Sequence, residues 1–418
     1  MQALLAFSLL GLGGKASSHE AGPPPVQAAP PVSEATRRVE HFVGSDFGSR
    51  VEKAIADCAG KSDTCIVDAR DLNGPQTISH NLALRNVELL LGRYRIQVGE
   101  GVVIGIGTGA TIRGAGTSTS GTVFQMGKRA SLRIGHYGTP REMRWKLADF
   151  LVTPFAIGPD ERGIILDNAS EGSIDHLQVA GFKGVGSCGI EILSGVWTIS
   201  TTDLWATNND TGLCLHGVNL NAINMNHGIF GANNIGILGD LGPGGRLTSF
   251  SLTGSTIIEG NGVAGIELRS GLYQGFNVTN VYGEDDASHN SKWLVVKSLA
   301  TARSACWPGQ THYCNLPWAL RVHMLTVDGG YINFHNSPAP IVVDTTQNPD
   351  SSDVATVVIS RVSGIDLPRN SPLVQAIGQR SRVTLMLNEI EQSGGGTSTQ
   401  LVQNVQGGQA ADVQLKAN

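Results

Sequence analysis

Residues 189–213, Gly-Ile-Glu-Ile-Leu-Ser-Gly-Val-Trp-Thr-Ile-Ser-Thr-Thr-Asp-Leu-Trp-Ala-Thr-Asn-Asn-Asp-Thr-Gly-Leu, run from one Gly-aliphatic step to the next. The step recurs at Gly163-Ile164, Gly189-Ile190, Gly212-Leu213, Gly236-Ile237 and Gly265-Ile266, at intervals of 26, 23, 24 and 29 residues. A unit of this length cannot bury its own apolar side chains, whereas stacked units share one core. The alternating pairs Ile190/Ile192, Leu213/Leu215 and Ile266/Leu268 supply an inward column. Between the steps lie second strand-like segments, at 173–179, 198–205, 223–230, 249–258 and 276–282. Asn208-Asn209, Asn233-Asn234 and Asn261 return in register. Asn tolerates the left-handed backbone and bonds along a stack, so these residues predict a sharp structural corner. Leucine-rich repeats would need Leu-x-x-Leu-x-Leu units and a propeller longer antiparallel blades; neither pattern is present. The expected fold is all-β, a right-handed single-stranded parallel β-helix.

Outward from the repeat, the chain divides into a leader-like segment at 1–20, a Pro-rich linker at 21–38, a cap with the first coils at 39–160, the main coils at 161–395 and a polar tail at 396–418. Phe47–Cys58 reads as a short capping helix, with Asp46 as its N-cap and Val51, Ala54, Ile55 and Cys58 on one face. Residues 139–160, with Trp145, Phe150 and Phe155, and residues 299–317 break the rhythm and are expected to be insertions. Cys58 with Cys65, and Cys306 with Cys314, bracket short loops and are expected disulfides. Cys188 and Cys214 are offset by three positions along the strand, so a bridge between them would need a bend; a bridge and two packed free thiols both stay open.

There are 54 Gly among 418 residues, about twice the usual frequency, with 16% charged and 6% aromatic residues, a composition for many tight turns. A formal charge of -5 and the lack of a basic run exclude a nucleic-acid partner. After the leader no apolar stretch reaches the roughly 18 residues a spanning helix needs. The leader and the cysteines imply export to the periplasm, the cell surface or the medium, as a monomer with no membrane partner.

Asp46-Phe47-Gly48 and Ala54-Ile55-Ala56 in the opening helix, and Leu91-Gly92-Arg93-Tyr94 after it, resemble the pectate-lyase superfamily branch that includes rhamnogalacturonase- and epimerase-like proteins and phage tailspikes. Ile258-Glu259-Gly260-Asn261 and Tyr282-Gly283-Glu284-Asp285 look like that branch's acidic corner segments. The resemblance covers roughly residues 40–390 and implies a β-helix with a polysaccharide partner, while leaving the reaction open. Ser173-Ile174-Asp175-His176 lacks the Trp of the pectate-lyase segment, and Asn226-His227-Gly228 only echoes a polygalacturonase motif. Neither family's catalytic set carries over.

Glu259 and Glu284 lie 25 residues apart, one coil, and so are expected to stack at the strand spacing of roughly 4.8 Å. That matches the carboxylate pair of a retaining glycosidase, one member of which has a raised pKa. A wider pair with Asp240 or Asp286 would favour inversion. The leading reading is therefore glycoside hydrolysis of a complex or acidic polysaccharide. The alternatives are a calcium-dependent lyase, with Asp285 and Asp286 among the ligands of a Ca2+ cofactor and Arg269 as base or clamp, and a glycan-binding β-helix without catalysis. His227 and His176 are candidate acids or bases. Trp205, Asn233, Tyr282 and Asp240 are the candidate substrate-binding residues, with Trp197 and Trp293 as further stacking surfaces. No metal-type Cys and His spacing is evident.

Overall fold

The computed structural model describes residues 36–58, 65–242, 244–285, 291–298, 320–333, 339–348, 354–362, 371–386, 402–407 and 409–410. They form a right-handed parallel β-helix whose coils each cross three faces. Face I is the Gly-aliphatic column, with Arg162–Leu166, Cys188–Ile192, Thr211–Leu215, Ile235–Asp240, the start of Ala264–Tyr273 and Lys292–Lys297 in one parallel ladder. Face II joins the first parts of Ala169–Ala180 and Trp197–Thr207 to Asn221–Asn226, Phe250–Thr253 and the start of Phe276–Asp285. Face III joins the ends of Ala169–Ala180 and Trp197–Thr207 to Ile229–Gly231, Ile257–Asn261, the end of Phe276–Asp285 and the end of Leu320–Asn333.

The second segment of each repeat thus holds two strands where the sequence suggests one. The break between faces II and III is a residue with positive φ: Asp149 (63°), His176 (45°), Asp203 (53°), His227 (53°) and Asn280 (51°). Asp, Asn and His tolerate this conformation better than other side chains, which accounts for polar residues inside otherwise apolar runs.

The core is one continuous stack. Ile164, Ile190, Leu213, Ile237, Ile266 and Leu294 are ladder neighbours and fully buried. Between faces III and I, the Asn ladder is internal. Asn209 N donates to Asn233 Oδ1 (2.8 Å) and Asn233 N to Asn261 Oδ1 (3.2 Å). Their amides donate to the carbonyls of Val179, Ala206 and Phe230, at 3.1, 3.0 and 2.9 Å. The Gly steps make room for this ladder. A Cβ on Gly212 would lie 2.7 Å from the Gly236 carbonyl oxygen and 3.0 Å from Asn233 Nδ2.

One expectation is corrected here and one open alternative is decided. Residues 139–160 are not simply an insertion: Glu142–Met143 and Lys146–Pro154 are ladder strands, and Trp145 and Phe150 are buried because they point into the core, leaving Phe155 68% exposed. Cys188 and Cys214 are bridged, with Cα atoms 6.0 Å apart. Regular extended strands would hold residues offset by three positions roughly 10 Å apart, so the 6.0 Å separation means that the chain turns at this corner and shortens the offset. Cys58 and Cys65 are bridged as expected. Cys306, Cys314 and residues 299–317 lie outside the described residues.

Helix Phe47–Cys58 buries Phe47, Val51, Ala54 and Cys58, with Ile55 partly buried against the same core. Asp46 Oδ1 accepts from Ser49 N (2.8 Å), and Oδ2 accepts from Ser79 N (2.8 Å) and the Ser79 hydroxyl, so one carboxylate caps the helix and ties it to the first coils. Burial pushes this carboxyl up, but the hydrogen bonds from Ser79 and Ser49 outweigh it and hold the group well below the usual carboxylate range. A depressed folded pKa stabilises above the unfolded value near 3.9, and the gain is lost as pH falls through the folded pKa. Asp46→Ala is expected to cost about 1–2 kcal/mol at neutral pH. In urea titrations the gap to wild type should narrow once pH drops below about 4; a gap independent of pH would contradict this origin.

Candidate functional site

Because side chains alternate along a strand, face III presents two parallel outward columns. In the first, Trp205, Ile229, Ile257, Tyr282 and Tyr331 are ladder partners from coil to coil. In the second, two residues further on, the partners are Thr207, Gly231, Glu259, Glu284 and Asn333. Trp205 is 37% and Tyr331 44% exposed, and the Tyr282 and Tyr331 rings stack with centroids 5.9 Å apart. At about 4.8 Å per strand the apolar column is about 19 Å long. An aromatic and aliphatic strip therefore runs beside a polar one that contains two carboxylates in direct register.

The pair's surroundings pull its members apart. Burial raises the pKa of Glu259, and the charge of Glu284 raises it further. Glu284 accepts a hydrogen bond from the Tyr282 hydroxyl, which favours its ionised form. That bond, with burial and the charges of Glu284 and Glu259, pushes the Tyr282 phenol up to about 12, so it stays a donor. Of the two, Glu259 is the member whose protonated form its surroundings favour.

Among solved structures, the chain resembles the A-module of the Azotobacter vinelandii mannuronan C-5 epimerase AlgE4, at a TM-score of 0.53 and 14% identity over 83% of this chain and 99% of that one. The shared property is the β-helix. The A-module of AlgE6 from the same organism and a DFA-IIIase of Arthrobacter chlorophenolicus A6 match at 13% and 12% identity, with TM-scores of 0.45 and 0.41, over 90% and 91% of this chain and 100% of each of those. No protein-family model and no curated protein sequence matches the chain.

Several sequence-derived candidates fall elsewhere. Arg269 is on face I, where its Nε and an Nη donate to the two Glu267 oxygens at 2.7 and 3.1 Å. Its charged surroundings are Glu267, Asp240 and Asp210, whereas Glu259 responds to Glu284, so the two belong to separate electrostatic neighbourhoods. Asp240, 5% exposed, is also on face I and accepts from the Ser270 hydroxyl, so it does not pair with Glu259. Asn233 is a buried rung of the ladder, because its amide serves backbone groups of neighbouring coils and not the surface. His227 is exposed at the corner between faces II and III, four residues before Gly231, the ladder partner of Glu259. At about 3.3 Å per residue the chain between them spans at most roughly 13 Å. His176 pairs with Asp149 (2.9 Å) at the same corner.

Trp197 stacks under the Arg141 guanidinium, 3.6 Å from the ring centroid, and Trp293 is buried in the core. The backbone of Asp285 pairs with Asn261, while its side chain and the whole of Asp286 lie outside the described residues. Tyr331 and Asn333 eluded the sequence reading because they follow Tyr282 and Glu284 by 49 residues, about twice the repeat. On face I the structure also assembles Glu191, His216 and Arg162 beside the Cys188–Cys214 bridge, over a cavity of ≈ 310 Å³.

Proposed function

We propose that the chain hydrolyses glycosidic bonds, with Glu259 and Glu284 as the reacting pair. The supporting observation is their direct register in environments that separate their protonation. A strand spacing near 4.8 Å suits the roughly 5–5.5 Å of a retaining mechanism. Glu259 would protonate the leaving oxygen as Glu284 attacks the anomeric carbon, and Glu259 would then take a proton from the water that releases the sugar. The column from Trp205 to Tyr331 would stack on sugar faces.

The outward positions of face III between Gln178 and Asn333 carry no Lys or Arg among the described residues. A glycan without carboxylates is therefore the favoured substrate over an acidic one. The mannuronan named for the AlgE4 module supports a polysaccharide as the ligand class, and the Cys58–Cys65 and Cys188–Cys214 bridges support an exported protein. The lyase reading loses its proposed base, since Arg269 is bound to Glu267 on another face. A second reading, glycan binding without turnover, draws on the exposed aromatic strip alone.

The test is incubation with neutral and uronate polysaccharides, with and without calcium, following new reducing ends and the ultraviolet chromophore of an unsaturated product. Reducing ends without chromophore support hydrolysis. A calcium-dependent chromophore would establish the lyase, retained binding without products the platform, and neither binding nor products would remove the proposal. Trp205 lies three strands from Tyr282 and touches no reacting atom in this scheme. Trp205→Ala is therefore expected to raise KM several-fold at unchanged kcat, the signature of lost uniform binding; an equal fall in kcat would place it in the transition state.

A further inference from the structure

We propose that Cys188 and Cys214 in their dithiol form, together with His216, make a zinc site that opens into the cavity over face I. This is independent of the Glu259–Glu284 reading. Sequence spacing gives no hint of such a site, because its donors come from two coils: Cys214 and His216 lie two residues apart at one strand end, and Cys188 of the preceding coil comes within 6.0 Å of Cys214 between Cα atoms. One ligand atom from each of the three residues lies within 4.8 Å of the others.

The surroundings are those of a metal ligand set. His216 Nδ1 is 2.9 Å from Glu191 Oε1, and Glu191 is the ladder partner of Cys214. Arg162 Nε is 3.0 Å from the other Glu191 oxygen. A carboxylate on one ring nitrogen fixes the tautomer and directs the other nitrogen to an ion, the usual second partner of a zinc-bound histidine.

Cys188, Cys214 and His216 all line the ≈ 310 Å³ cavity, together with Arg162, Asp210 and Arg269. Three protein ligands with space at the fourth position is the ligand count of catalytic zinc, not of structural zinc. The chemistry balances. Two small thiols reduce the bridge to two Cys thiols and leave as one disulfide; Zn2+ then binds both sulfurs and the imidazole, releasing two protons. With zinc–sulfur bonds near 2.3 Å at a tetrahedral angle, the sulfurs separate to about 3.8 Å. Two thiolates neutralise the ion, and Arg162 neutralises Glu191.

The full chain, before and after reduction by a phosphine and removal of the reductant without air, is titrated with Co2+ as a spectroscopic stand-in for zinc. The reduced protein should develop sulfur-to-cobalt charge-transfer and tetrahedral ligand-field bands at one equivalent, bleached by Zn2+, and the oxidised protein should develop none. The other cysteines are controlled for by Cys188→Ser with Cys214→Ser, which should abolish the bands. His216→Ala, which keeps the bridge for folding, should abolish or weaken them, and Glu191→Gln should lower affinity about 10- to 100-fold. The proposal is overturned if the reduced chain, with its thiols counted, gives no bands, if it loses its β circular dichroism on reduction, or if His216→Ala binds cobalt as wild type does.

Discussion

Glu259→Gln is expected to lower hydrolysis of any glycan the protein cleaves by about 10²–10⁴-fold, the usual contribution of a positioned proton donor, with KM little changed. Glu284→Gln should cost at least as much, because it removes the nucleophile, yet the two variants should differ in what rescues them. A substrate with a leaving group that needs no proton should recover much of the first step in Glu259→Gln and none in Glu284→Gln. The pH profile separates them again. Burial and Glu284 together raise the Glu259 pKa, so the basic limb of wild-type activity should lie above the usual carboxylate range. Tyr282→Phe, which deletes the hydrogen bond to Glu284, should move the acidic limb upward, since the carboxylate loses a donor that favours its ionised form.

The same repulsion has a thermodynamic sign. A folded pKa above the unfolded value near 4.3 stabilises only below that value, and the contribution is lost as pH rises through the folded pKa. Glu259→Gln should therefore be more stable than wild type at pH 7 while being inactive, and the gain should vanish by about pH 4. A variant that lost stability at pH 7, or one that kept its turnover, would show that Glu259 serves the corner and not the chemistry.

What the sequence discloses follows from which features are periodic. The Gly steps and the pairs Ile190/Ile192 and Leu213/Leu215 repeat because every coil must present the same face to the core, so the fold was readable from their spacing. Glu259 and Glu284 were readable as neighbours because their coil has an ordinary length. Spacing says which coil a residue belongs to, but not which way it points. Asn233 and Asp240 have the polarity of surface residues, yet one serves the internal ladder and the other a buried hydroxyl. Arg269 sits between the two glutamates in sequence and on a different face in space. Asp203 and His227 divide the second segment by a single left-handed residue each, a signal that hydrophobic periodicity does not carry. The Cys188, Cys214 and His216 group depends on two coils coming close across a three-residue offset at one corner, which repeat spacing does not encode.

The Gly column makes the strongest stability forecast, because its restriction comes from space and not from backbone conformation. A Cβ on Gly236 would sit 2.5 Å from the Gly265 carbonyl oxygen and 3.0 Å from Asn261 Nδ2. The first contact is with backbone held in a parallel ladder, so no side-chain rotation relieves it. The second displaces an amide that donates to the Phe230 carbonyl at 2.9 Å inside the core. Overpacking of this kind costs about 1–3 kcal/mol, and stranding a buried hydrogen-bonding group adds about 1–3 kcal/mol. Gly236→Ala is accordingly expected to lose about 3–5 kcal/mol, the middle of those two ranges combined.

Gly105, also on face I, is the matched control, since its Cβ would meet only the Leu82 carbonyl oxygen at 3.7 Å, an ordinary contact. Gly105→Ala should leave stability unchanged or raise it by roughly 0.5–1 kcal/mol, the usual gain on replacing glycine inside a strand. Denaturant melts of the two variants decide the matter. Stacked coils are stabilised by their neighbours, so a defect in the middle of the column should also broaden the Gly236→Ala transition or split it in two. Equal midpoints for the two variants would mean that coil stacking yields easily at the Gly steps, and that the Asn ladder, not the close approach of backbones, sets the corner.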